Sequence, residues 1–253
     1  MMDISILVNL IYIAASILFI VGLKMLGSPD TARQGNFLSS SGMLIAVVIT
    51  LLDQSIIDYR FIAGALLAGS VVGYFAATKV QMTSMPEMVA IFNGFGGIAS
   101  LLVGSAEYVV SSLNNPALMG AIYMTVLIGG LTFTGSLVAY GKLSEVISGK
   151  PFLYKGQQFV NAILLLAILI VGINMLFIQG IISPNQTLIL LITLSFLLGV
   201  LFVIPIGGAD MPVVIALLNS FSGLAACAAG FVITNNVLIV AGSLVGASGL
   251  ILT

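Results

Sequence analysis

Nine long apolar runs divide the chain, at roughly 4–26, 37–52, 61–78, 86–105, 117–140, 159–178, 187–204, 211–233 and 236–253, and its few charged residues lie almost wholly between them. Runs of ~17–25 apolar residues match the length an α-helix needs to cross a bilayer. Inside hydrocarbon every backbone N–H and C=O must bond within the protein, which leaves only helices or closed barrels. A barrel needs alternating strands of about ten residues, and these runs do not alternate. With 253 residues, 60% hydrophobic and 6% charged, the composition excludes an ordinary soluble globular domain. The expectation is all-α: a polytopic transmembrane bundle of nine helices forming a single transmembrane domain over 1–253.

Nine spans put the two termini on opposite sides, and the Lys/Arg distribution chooses between the two orientations. With the N-terminus outside and the C-terminus cytoplasmic, Lys24, Arg33, Lys79, Lys142, Lys150 and Lys155 fall inside and only Arg60 falls outside. The first run has no basic stretch before it and carries Lys24 and Arg33 at or after its end, so it is a retained helix, not a cleaved signal. Cys227 is the only cysteine, so no disulfide or thiolate metal site forms within the chain; no histidine is present, and no metal site is expected. The last run reaches Thr253 without a polar or basic flank, from which a continuation of the chain is expected.

Two segments share a pattern. TSMPEMVAIFNGFGGIASLLVG at 83–104 and ADMPVVIALLNSFSGLAACAAG at 209–230 align at an offset of 126. In the first, Pro86, Ala90, Asn93, Gly97, Ser100 and Gly104 are spaced 4, 3, 4, 3, 4, which places them on one helical face. Pro212, Ala216, Asn219, Gly223, Ala226 and Gly230 repeat that face, with a single Ser-to-Ala difference. Four spans separate the copies, so helices 3–4 and 7–8 form a parallel internal repeat, not an inverted one. Small residues let helices approach closely where lipid offers no hydrophobic drive for association. Each Asn lies about 10 Å along its helix from the Pro, at ~1.5 Å per residue. An amide at that depth is either an interhelical hydrogen bond in a packing seam or part of the wall of a hydrated path.

The helix starts are open to two readings as well. Ser84-Met-Pro-Glu87 fits the S-x-x-E capping box, and in the second copy Asp210 stands where Ser84 does, after the breaker cluster Pro205-Ile206-Gly207-Gly208. Asp210 is either an N-cap or a carboxylate at the inner mouth of a path. Thr132, Thr134 and Ser136 either add hydroxyls to a polar interior or bond back to their own helix. Gly69 with Gly73, Gly242 with Gly246, and Gly135 with Ala139 have the spacing of packing seams. Gly94-Phe-Gly96-Gly97-Ile-Ala99 matches the dinucleotide fingerprint, yet no strand precedes it and no acid follows about 20 residues later, so it is rejected. Segment 141–158, with three Lys, is the only sizeable inside loop, and either docks a soluble partner or holds the topology.

TARQGN (31–36), KVQMTSMPEMVAI (79–91), TFTGSLVAYGKL (132–143) and IGGADMPVVIALLNSFSG (206–223) together resemble the membrane domain of the β subunit of proton-translocating NAD(P) transhydrogenase, over essentially the whole chain. The resemblance implies an oxidoreductase complex in which hydride passes between NAD(H) on a soluble domain of the α side and NADP(H) on a soluble domain after the last β helix, coupled to proton movement through the membrane domain. It implies nine helices with the N-terminus outside, an α-type partner subunit carrying membrane helices and the NAD(H) domain, a homodimer of the αβ unit, and a bacterial inner membrane location. The NADP(H) domain is absent from this sequence, so no cofactor is expected on this chain and no hydride transfer by it alone. No nucleic acid partner is implied; the lipid bilayer is.

Some members of that family carry a proton-handling His where this sequence has Asn93, and others place it on a helix of the α-type subunit; this sequence resembles the second kind. The expected proton pathway is Asn93, Asn219, Asp210, Glu87 and Ser84, lined or packed by Ala90, Gly97, Ser100, Ala216, Gly223, Thr132, Thr134 and Ser136. Asp210 and Glu87 stand at helix starts and tyrosine ionises near pH ~10, so nothing at mid-membrane depth titrates near neutrality. A partner subunit is therefore expected to supply the titratable group. The rival classes are a secondary transporter, against which stand the lack of a midplane charge and of an inverted repeat, and a purely structural membrane subunit.

Overall fold

The computed structural model describes residues 4–52, 59–111, 115–178 and 182–252. The described residues form nine α-helices and no strand: α1 (Ile4–Leu26), α2 (Pro29–Leu51), α3 (Tyr59–Lys79), α4 (Met85–Val110), α5 (Pro116–Leu143), α6 (Gln157–Ile173, continued by a π-turn Asn174–Ile178), α7 (Pro184–Val203), α8 (Met211–Val232) and α9 (Asn236–Leu252). Eight are long and apolar enough to cross a membrane; α9 is shorter, at 17 residues. The chain is a multi-pass membrane protein.

The helices exceed the apolar runs where polar flanks continue them. α2 begins at Pro29, eight residues before its apolar run, because a proline in the first turn needs no N–H partner and Asp30 suits the positive end of the helix dipole. The expected capping box at Ser84 and Glu87 is not made. Ser84 adopts φ −95°, ψ 9°, outside the extended region a capping side chain needs, and a 3-10 turn over Met82–Ser84 leads into α4 instead. The S-x-x-Q signature of Ser183 and Gln186 is the one that forms a capping box, at the start of α7. There the Ser183 amide and hydroxyl donate to Gln186 Oε1 at 3.4 and 2.9 Å.

The chain falls into two compact units, Met1–Val80 and Gln81–Thr253. In the first, α1 and α2 meet along a small-residue seam in which a Cβ on Gly35 would stand 2.7 Å from the Gly22 carbonyl, and Tyr12 and Thr50 hydroxyls join at 2.9 Å. A Cβ at Gly69 or Gly73 of α3 would meet nothing within 4 Å, so the seam expected there is not made within this unit.

In the second unit α4 packs on α5, α5 on α7 and α8, α8 on α4 and α9, and α6 on α7. Both copies of the repeat share a plan: a 3-10 turn (Met82–Ser84, Gly208–Asp210), a helix opening on Met-Pro, and a glycine seam against the next helix. The Gly242–Gly246 and Gly135–Ala139 seams are made, the first against Gly223 and Cys227 and the second with Gly135 against Leu218 and Val203. These close contacts replace the hydrophobic drive that lipid withholds.

Candidate functional site

The stripe on α4 faces α5. Ala90, Asn93, Gly97, Ser100 and Gly104 are all buried. A Cβ on Gly97 would lie 2.7 Å from the Gly129 carbonyl oxygen and 2.9 Å from the Phe133 nitrogen, so only glycine permits this approach. The approach carries Asn93, one turn away and 8% exposed, into the junction of α4, α5 and α8. There its Nδ2 donates to Ser136 Oγ at 2.9 Å, and Ser222 Oγ donates to its Oδ1 at 2.6 Å.

This hydroxyl–amide–hydroxyl bridge lies between two apolar layers. Toward the end where α4 and α8 begin are Ala90, Val138, Ala139, Met211, Val214, Ile215 and Leu218. Toward the other end are Leu101, Ile122, Val126 and Leu191 among others. An amide accepts at one end and donates at the other, and hydroxyls do both, so flipping the Asn93 amide reverses the polarity of the chain. None of the three takes up a proton near neutral pH. The layer can relay hydrogen-bond polarity but cannot itself change charge, and an apolar cluster flanks it on either side along the helices.

The other sequence candidates are distributed around this layer. Thr132, one turn from Ser136, is fully buried and its hydroxyl has no partner among the described residues. Ser100 bonds back to the Gly96 carbonyl at 3.2 Å, while Thr134 reaches across to the Phe196 carbonyl of α7 at 2.9 Å. On α8, Gly223 packs against Gly242 and Gly246, and Ala216 is half-buried. Asn219 is different from its twin: it is exposed, and its amide makes no hydrogen bond among the described residues. The structure therefore does not bring Asn93 and Asn219 together as a bonded pair; Ser222, one turn along α8 from Asn219, takes that place. At the helix starts, Ser84 and Glu87 are half-buried, and Asp210 is exposed and makes no cap bond.

Two residues escaped the sequence reading. Ser222 occupies the position of Gly96 in the first copy, and such departures from the repeat were the available signal. Lys142, at the start of the 141–158 segment, lies not in a loop but in the last turn of α5, 3% exposed, with its ammonium donating to the carbonyls of Ile204 and Ile206 at 2.6 and 2.5 Å. Its signal was its place ten residues after Thr132 in an otherwise uncharged helix, and charge alone pointed to solvent.

The glycine string at 94–99 does not have the setting of a dinucleotide fingerprint. It lies inside α4 and not at a strand-to-helix turn, and Gly94 and Gly97 are taken up by packing: a Cβ on Gly94 would touch Ser136 and one on Gly97 the α5 backbone. No cluster of three His, Cys, Asp or Glu occurs among the described residues.

Residues 8–253 match the family profile described as NAD(P) transhydrogenase beta subunit. Two curated relatives, both NAD(P) transhydrogenase subunit beta of Rhodospirillum rubrum and one of them from strain ATCC 11170, are 40% identical over 250 residues, covering 96% of this chain and 53% of theirs. The chain thus spans about half the length of the curated relatives it matches. With a glycine-seamed helical repeat around a buried amide, and a match that runs from residue 8 to the last residue, this chain belongs to the NAD(P) transhydrogenase beta subunit family.

Proposed function

We propose that this chain is the proton-translocating membrane domain of an NAD(P) transhydrogenase, coupling proton movement to hydride transfer between NAD(H) and NADP(H) held on soluble domains outside residues 1–253. The observation that carries the reading is the Asn93–Ser136–Ser222 bridge: a polar relay held at depth between two apolar layers, with no ionisable side chain in it. Coupling requires a group that changes charge, and this relay has none. An α-type subunit supplies it, from a membrane helix laid against the exposed face of Asn219. An amide turned to lipid without a partner costs several kcal/mol on a rough scale, which favours such a helix there. The N-terminus is outside, the ends of the bundle where α4 and α8 begin are cytoplasmic, and the assembly is a homodimer of αβ units in the bacterial inner membrane.

In this arrangement the apolar layers are gates. A proton held by the partner's side chain reaches one membrane face only when one layer opens to water, and Asp210, exposed and uncapped, receives it at the cytoplasmic mouth. The test is Asp210→Asn in the complete β subunit, reconstituted with its α-type partner in vesicles. NADPH formation and proton uptake are followed together. Slowed or uncoupled proton-linked turnover is expected, and full coupled activity would refute the relay role.

A further inference from the structure

Among the described residues Lys142 is the one buried charged side chain, and the preceding reading gives it no task. Burying an ammonium is costly unless it is well bonded. Its two acceptors, the carbonyls of Ile204 and Ile206, follow directly on α7, where the final carbonyls of a helix lack helical partners and carry partial negative charge. The lysine thus ties the end of α5 to the segment that joins α7 to α8.

The same segment is held from a second direction. After α5 the chain reverses through Ser144 and Glu145, the latter at φ 59°, and Ile147 N donates to the Gly141 carbonyl at 2.8 Å. The Ile147 side chain covers Gly141, where a Cβ would meet its Cδ1 at 2.7 Å. The strap that follows lies along the α7–α8 segment. Gly208 N donates to the Gly149 carbonyl at 2.7 Å, Phe152 N donates to the Ile204 carbonyl at 3.3 Å, and the Pro151 ring rests near Gly207. Ile204 O therefore receives both Lys142 and Phe152. Immediately beyond, Gly208–Asp210 forms one 3-10 turn and Met211 is fully buried. Between the clamped carbonyls and the buried methionine, the Asp210 backbone has little freedom, and its carboxylate stands exposed instead of folding back as a cap.

We propose that Lys142, together with the strap of residues 144–156, clamps Ile204–Gly208 and so sets where the Asp210 carboxylate stands. Lys142 is a positioning residue for the proton path, and this rests on the reading of Asp210 as the relay at the mouth. A methionine of similar length fills the same space without donors, so Lys142→Met removes the clamp and keeps the packing.

The test uses the assembled complex with Cys227→Ser as background. Lys142→Met is expected to lower proton-coupled turnover at least tenfold and to lower the number of protons moved per NADPH formed, a ratio that a merely structural loss of enzyme leaves unchanged. A covalent substitute for the clamp is available. A Cβ at 208 would stand 3.3 Å from the Gly149 Cα and one at 149 would stand 3.9 Å from the Gly208 Cα, within disulfide reach. Oxidised Gly149→Cys/Gly208→Cys is expected to leave the Lys142 enzyme active and to restore the Lys142→Met enzyme to within threefold, with reductant abolishing the rescue. Unchanged coupling in Lys142→Met overturns the clamp, as does a formed disulfide that fails to rescue, or one that stops the Lys142 enzyme.

A second readout is independent of turnover. Ala209 is exposed, and Ala209→Cys is expected to label with a water-soluble maleimide at least threefold faster or slower once Lys142 is Met; an unchanged rate overturns the proposal. If Asp210→Asn keeps full coupling while this rate still changes, the relay reading has failed and the clamp has not. Should Lys142→Met not assemble, Lys142→Gln, with a shorter arm, carries both measurements with the same sign.

Discussion

Gly96 and Gly97 are neighbours on α4, and the same substitution at each has opposite consequences. At Gly97 an added methyl would sit 2.7 Å from the Gly129 carbonyl oxygen, 2.9 Å from the Phe133 nitrogen and 3.0 Å from the Thr132 Cβ. Two of these are backbone atoms inside a helix and cannot swing aside, so α4 and α5 must part by about half an ångström or more to restore ordinary contact. Overpacking of this kind costs about 1–3 kcal/mol, and a backbone wall places it in the upper half, near 2 kcal/mol. For a chain of this size that lowers the melting temperature by about 4–8 °C. At Gly96 a Cβ meets nothing within 4 Å, so Gly96→Ala gains helix propensity, up to about 1 kcal/mol. The assay is thermal unfolding of the purified chain in one detergent, followed by circular dichroism. The separation also stretches the 2.9 Å Asn93–Ser136 bond one turn away, so coupled turnover in the assembled enzyme falls with Gly97→Ala and persists with Gly96→Ala. Equal stability of the two variants, or a larger loss at Gly96, would refute the packing argument.

The two repeat amides separate in the same way. Asn93→Ala removes both bonds of the bridge and is expected to cost the chain about 1–2 kcal/mol, since hydrogen bonds between membrane helices are worth about 0.6 each on average and reach ~1.7. Asn219→Ala leaves the chain's own melting within about 0.5 kcal/mol but weakens co-purification of the α-type subunit; both are read by melting and pull-down of the paired subunits. Thr132→Val removes a buried hydroxyl that has no partner among the described residues, and is expected to stabilise the chain by about 1 kcal/mol in thermal melts. A loss of stability would mean that a water or a partner group bonds that hydroxyl.

Much of this architecture was legible in the residue order. A bilayer permits few solutions, so apolar run length alone announced the helices, and a period of 3–4 residues announced which face of α4 and of α8 carried the small stripe. The local start signals were less trustworthy. Ser84 has the residue types of a capping box, yet its backbone is committed to a 3-10 turn, and whether a side chain reaches its own helix depends on φ and ψ that composition does not specify.

What periodicity establishes is a face; what it leaves open is the neighbour that covers that face. Asn93 and Asn219 are the same residue in the same motif, and the sequence by itself assigned them one role. The tertiary structure gives one of them hydroxyls from positions 43 and 129 residues away and leaves the other exposed, because α5 and α8 cover the Asn93 side of α4, whereas the helices packed on α8, namely α4, α5 and α9, leave its Asn219 side open. Lys142 teaches the same lesson from the opposite direction. Its charge pointed to solvent, and only the meeting of the ends of α5 and α7 supplied the two carbonyls that make its burial tolerable. The membrane class, the helices and the repeat were thus settled by chemistry local to each segment. The polar bridge, its apolar layers and the buried lysine were decided by long-range packing, in which identical short sequences acquire different surroundings.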